Sequence, residues 1–290
     1  MLRVLGDTPC PVVPHAVDGV PVVEIGPYCF ADKPVTGGTL WPADSADTHE
    51  ITGNFVEEVT LPDAVRVIDS AAFYNCRRLR RVALGPTADS FGSDLFTNCR
   101  SLQTLELHAD PGEPTGLRRL LVAISADVTV TFTGGARLFY PEYFELLDEN
   151  TPAHIFNHSI EGEGYRMRQC FAPDGSLDFA AYDASFAQAC VGESEEKLCK
   201  LALGRLCLPY ALSDDARADY EFYLTAHPDA AFTLAITARE ETAVRLLVGL
   251  ALPTARAAAY CAQQGWSAGA ALLLGRRHKA AKKTYDFDDL

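Results

Sequence analysis

The chain has 290 residues, 48% of them apolar and 22% charged, with a formal net charge of −14. That length allows two domains of ordinary size, and the composition excludes an intrinsically disordered chain. The acidic balance argues against nucleic acid and anionic membrane as main partners, because both need clustered Lys and Arg.

In chain order, Met1 to Cys10 carries an acid, Asp7, where a secretory signal would have its apolar core, so no export signal is expected. The segment Ala16-Val-Asp-Gly-Val-Pro-Val22 reads as a turn and strand, and Val22 to Phe30 as a first coil. Residues 32–54, rich in Gly, Pro, Thr and Asp, read as an inserted loop. It carries Trp41, which is either a contact point or a plug folded back onto the domain.

A repeat then sets in. At a spacing of 23 residues, Val59, Val82, Leu105 and Val128 form one column, and Leu61, Leu84, Leu107 and Val130 the next. Alternating apolar residues of this kind are strands with one buried face. Phe73-Tyr-Asn-Cys76 and Phe96-Thr-Asn-Cys99 repeat at the same spacing, with Ile68 and Phe91 five residues before each Phe and Ile25 five before Phe30. One such coil cannot bury its own apolar face, so neighbours must stack around a shared core. The Asn amides are expected to satisfy turn backbone, and Cys76 and Cys99 to pack inside as thiols.

Leu61 to Ile68, Ala72 to Leu79 and Val82 to Leu84 resemble BspA-type bacterial leucine-rich repeats, and Ala16 to Phe30 resembles the opening coil of that family. The resemblance covers residues 11–133 and implies a solenoid of about four coils. It also implies a protein-binding module or a surface adhesin, the latter an exported alternative. On such strands the outward positions are Glu58, Thr60, Arg81, Ala83, Thr104, Glu106 and Thr129, with Asp127 flanking. Glu58, Thr60, Arg81, Ala83, Thr104 and Glu106, together with Trp41, are the candidate partner-binding residues, and Arg81 is the one side chain of the strip with hot-spot chemistry.

After Gly135 the pattern turns helical: Pro141 to Leu147 reads as a short helix with Pro in its first turn, and Gly164 to Phe171 as an extended stretch closed by the turn Ala172-Pro-Asp-Gly175. From residue 178 apolar residues recur at helical spacing, as in Leu198, Leu201, Ala202 and Leu206. Ser213 before Asp214-Asp215 is an N-cap. A 26-residue repeat matches Leu234, Ala235, Leu246 and Leu247 to Tyr260, Cys261, Leu272 and Leu273, and resembles ankyrin-like helix pairs. Residues 140–280 resemble the C-terminal region attached to such repeats in uncharacterised proteins of anaerobic gut bacteria. The basic run Arg276 to Lys283 and the acidic tail 284–290 read as a solvated helix end. The fold class is therefore α+β: a repeat domain over 1–135, a connector over 136–177 and an all-α domain of helical hairpins over 178–283.

Catalytic patterns fare poorly. Gly265-Trp-Ser-Ala-Gly269 spells a nucleophile elbow but follows a helical segment instead of a strand. His154 and His158, with Cys170 nearby, have ligand-like spacing and define the alternative of a metal-dependent enzyme. The nine cysteines contain no Cys-x-x-Cys pair, which spells no zinc site or disulfide framework and fits a reducing cytoplasm. The expectation is a non-enzymatic interaction or scaffold protein without cofactor or metal, which binds a protein partner.

Overall fold

The computed structural model describes residues 1–35, 49–150 and 155–280, which divide into two compact units, Met1–Gly192 and the residues from Glu193 onward. The first unit opens with β1 (Leu5–Gly6) and the ribbon β2 (Ala16–Val17) and β3 (Val20–Pro21), turned at Asp18 and Gly19, both at positive φ. After β4 (Glu24–Ile25), the chain returns from the insertion at β5 (His49–Glu50), which pairs antiparallel with β1, and a 3-10 turn at Gly53–Phe55. Then come β6 (Glu58–Thr60), β7 (Val67–Ile68), β8 (Arg81–Leu84), β9 (Ser90–Phe91), β10 (Thr104–Leu107), α1 (Leu117–Val122), β11 (Val128–Phe132) and β12 (Ala136–Tyr140).

These strands build a solenoid. β6, β8, β10 and β11 lie parallel in one sheet, with β12 turned back antiparallel on β11. A second parallel sheet, β4-β7-β9, sets Ile25, Ile68 and Phe91 in register, as the five-residue offset to each Phe predicts. Phe30, Phe73 and Phe96 stack down the core, with ring centroids 5.1 and 5.4 Å apart. Beside them the Cys76 thiol donates to the Phe30 carbonyl at 3.2 Å and Cys99 to that of Phe73 at 2.9 Å. Burial pushes the Cys29 and Cys99 thiols up to about 12 and Cys76 higher still. Asn75 and Asn98 hold φ at 63° and 64°, a left-handed turn conformation that Asn tolerates, and the Asn98 amide donates to the Asn75 carbonyl oxygen at 2.8 Å. Coils approach so closely that a Cβ at Gly92 would lie 2.1 Å from the Ser70 nitrogen.

The fourth coil departs from the 23-residue spacing. Leu105 pairs with Val130, where the sequence columns place Val128. The cause is α1, which replaces the Phe-x-Asn-Cys turn in that coil and lengthens it by two residues. Both valines are nevertheless buried.

Two local expectations within 136–177 are overturned. Residues 141–147 do not form a helix: the Glu142 amide donates to Asp127 and the Tyr143 amide to the Ser125 carbonyl, which pins the chain extended. It continues into β13 (Phe144–Asn150), paired antiparallel with β14 (Ile155–Glu161). Residues 164–171, expected extended, open with α2 (Gly164–Met167), which brings Arg168 into the interior. Its guanidinium donates to the carbonyls of Ile124, Ala126, Pro141 and Gly164 and lies 5.1 Å over the Tyr143 ring. The expected turn follows, with Gly175 at φ 91° and Phe171 bridged to Leu177.

The stretch expected as a connector thus contributes a strand to the main sheet. α3 (Phe179–Ala184) and α4 (Phe186–Gly192), grouped with the helical half by sequence, fall in the first unit. The Tyr182 hydroxyl donates to the Phe139 carbonyl at 2.6 Å and accepts from the Phe139 amide at 3.0 Å, filling the outer edge of β12.

The second unit is helical throughout its described residues: α5 (Glu195–Cys207), α6 (Asp214–Ala226), α7 (Pro228–Thr237), α8 (Glu241–Gly249), α9 (Ala255–Gln263) and α10 (Ser267–Ala280). The Ser213 hydroxyl caps α6 by accepting from the Ala216 amide at 3.2 Å. The 26-residue repeat is real at the level of the backbone. α7 ends with Arg239 at φ 52° and the Glu240 amide donating to Ala235; α9 ends with Gly265 at φ 63° and the Trp266 amide donating to Cys261. Both are the helix stop in which a left-handed residue reverses the chain and satisfies the last carbonyls. Ala235, Cys261, Leu247 and Leu273 all face inward, so α7–α8 and α9–α10 are equivalent hairpins stacked side by side.

Candidate partner-binding face

Strand alternation turns every second side chain of the main sheet away from the core. Register places Glu58, Arg81, Thr104 and Thr129 in one outward row and Thr60, Ala83, Glu106 and Thr131 in the next. The sequence columns set Thr129 beside Glu106; the longer fourth coil puts Thr131 there instead. Asp127 is off the face, engaged with the Glu142 amide.

Within these rows Ala83 is 0% exposed and serves as the floor of the face. Its longer neighbours close over it. Arg81 Nε and Nη2 reach one oxygen of Glu106 at 2.9 and 2.7 Å, and Nη1 lies 3.5 Å from Glu58. Arg81 is therefore an internal brace between two rungs. On the far side of Glu106, His108 Nε2 lies 3.6 Å from its second oxygen and Nδ1 2.8 Å from Asp63. Glu57, one position before β6, gathers Arg78 and Arg80, the latter one position before β8.

Sequence reasoning missed His108, Asp63, Glu57 and Arg80. Glu57 and Arg80 do share the 23-residue spacing, which is the signal that could have found them. The Thr60, Thr104, Thr129 and Thr131 side chains are half-buried between these charges. Toward β12 the face is closed, because Phe139, in register with Thr129, is buried. Trp41 lies outside the described residues.

The remaining sequence candidates do not converge on a centre. His154 also lies outside the described residues. His158 is an exposed residue of β14, 3.4 Å from Glu145. Cys170 is buried, its thiol directed at the Arg166 carbonyl at 3.6 Å and pushed up to about 11 by desolvation. Among the described residues no group of three or more His, Cys, Asp or Glu could hold a metal ion. Ser267 opens α10 after the end of α9, so the elbow motif sits between two helices, with Gly269 packed against the Trp266 ring. Between α7 and α9 a hollow of about 200 Å³ is lined by Phe232, Ile236 and Tyr260 and spanned by Arg256 and Asp229. Among the described residues no helix is long and apolar enough to cross a membrane.

Parallel rungs, a Phe stack and an Asn ladder define a leucine-rich-repeat solenoid. A family model described as "BspA type Leucine rich repeat region (6 copies)" matches residues 52–112, and this segment is a BspA-type leucine-rich-repeat region. No curated protein and no solved structure matches the chain. The repeat family points to a protein-interaction or scaffold role.

Proposed function

We propose that the chain is a non-enzymatic scaffold that binds a protein partner on the two outward rows of β6, β8, β10 and β11. The observation that carries this reading is the pair of registered rows: bulky repeat residues point inward, and the outward positions hold threonines in a frame of ion pairs. Such a surface is fixed before the partner arrives, which lowers the ordering cost of association. Its charges already neutralise one another, so recognition rests on shape and hydrogen bonds to Thr60, Thr104, Thr129 and Thr131 more than on long-range attraction. All nine cysteines are free thiols, which fits a reducing compartment, and we place the protein in the cytoplasm.

The test is affinity capture from lysate of the source organism with the full chain, alongside Thr104→Trp and Thr129→Arg. Both substitutions obstruct the first of the two rows without entering the core. A partner retained by the parent chain and lost by both variants is the expected result. An unchanged set of partners would refute the face.

A further inference from the structure

The main sheet shuts both of its edges. Along β6, the Val13 amide donates to the Thr60 carbonyl and the Thr60 amide to Pro11; along β12, Tyr182 occupies the Phe139 backbone. The hairpin of β13 and β14 does the opposite. Among the described residues it is a two-stranded sheet of its own, seven residues long on each side, and no other described strand pairs with the outer edge of β14. Apart from each other, neither strand packs extensively on another described element. Its apolar residues stand in water on both faces: Phe144 is 56% and Leu146 39% exposed on one, Leu147 67% and Ile160 36% on the other. A hairpin with two wet faces is at best marginally stable, and open edges with exposed apolar side chains mark a place where another strand is added.

Charge distinguishes the two edges. β13 carries Glu145, Asp148 and Glu149, whereas β14 carries one acid, Glu161, at its end. Antiparallel self-pairing of β13 about Leu147 would set Glu145 against Glu149, like charges directly opposed. Self-pairing of β14 about His158 sets Ile160 against Phe156 and Glu161 against Ile155, with no acid facing an acid. It also keeps the acidic strands of the two copies at the outside. We propose that the occupant of the β14 edge is β14 of a second copy of this chain, giving a continuous four-stranded sheet with a twofold axis at His158.

The experiment is sedimentation of the full chain over a concentration series up to about 0.1 mM, with three variants. The parent is expected to dimerise, more tightly as salt screens the −14 charge of each copy. His158→Lys adds a cation beside Glu145 within its own hairpin but places Lys against Lys across the axis, so it should be monomeric. An equimolar mixture of His158→Lys and His158→Glu should recover the dimer, and Leu147→Lys on β13 should leave it intact. A monomeric parent, or a His158→Lys dimer of parental strength, overturns the proposal. So does a Leu147→Lys monomer, which would move the contact to β13. A monomeric parent whose β14 amides become protected only on addition of lysate would assign the edge to a different partner.

Discussion

Replacing Phe73 by Ala tests the solenoid where its rungs are most interdependent. Phe73 is fully buried and is the middle ring of three, stacked on Phe30 with planes 5° apart and on Phe96 with planes 14° apart. Truncating a buried Phe costs about 3–5 kcal/mol through lost transfer energy and the cavity left behind. Aromatic pairs contribute about 0.5–1.5 kcal/mol each beyond area burial. Phe73→Ala removes two such pairs and Phe96→Ala one, so the former is expected to cost about 1 kcal/mol more. Thr104→Ala, on the half-exposed outward row, should stay within about 0.5 kcal/mol. With two compact units a single melting curve is ambiguous. Amide exchange read by mass spectrometry separates them, with peptides across β6 to β10 reporting the solenoid and peptides from α5 to α9 serving as internal control. Equal losses for Phe73→Ala and Thr104→Ala would refute the shared core. A loss at Phe73 confined to its own coil would refute the coupling between rungs.

Three further outcomes are expected. At Asn98, φ of 64° makes Gly the tolerated replacement and Ala the strained one, so urea denaturation should rank Asn98→Ala below Asn98→Gly although both lose the bond to Asn75. Arg168→Ala removes the donor of the buried Ile124 and Pro141 carbonyls and of the part-buried Ala126 carbonyl, while Gly164 keeps the Arg168 backbone amide; at about 1–3 kcal/mol for each carbonyl left unsatisfied it should abolish protection of α2 and β12 in amide exchange, and Arg168→Lys, without the planar fork, should restore little. For Cys29 the folded thiol stays protonated to about 12 while an unfolded one ionises near 9.0. Its stabilising contribution is therefore complete below pH 9 and is lost as pH rises toward 12. Cys29→Ala should flatten the alkaline decline of stability, and an unchanged slope would contradict the buried placement.

What was legible in the sequence follows from how each feature is encoded. The Phe, Asn and Cys columns, the inward valines and leucines and the hairpin repeat of the second unit all arise from periodic contacts between equivalent residues, so spacing alone exposes them. The places where the reading failed depend on single contacts between unlike parts of the chain. Pro141 to Leu147 carries a plausible helix start, yet Asp127 and Ser125 hold residues 142 and 143 extended, and no local pattern reports an acceptor that far upstream. Gly164 to Phe171 reads as strand until Arg168 finds carbonyls on two earlier segments, the link before β11 and the end of β12. The binding face shows the same division. Its rows were recoverable from alternation, but the two-residue shift of the fourth coil was not, because α1 breaks the column from which that register would have been counted. Arg81 illustrates the consequence for function. Composition marks it as a hot-spot residue, whereas its neighbours across the rungs, Glu58 and Glu106, hold it as part of the frame. On the proposed partner-binding reading, recognition then passes to the threonines between the charges, whose small side chains leave the partner's own groups to fill the rows.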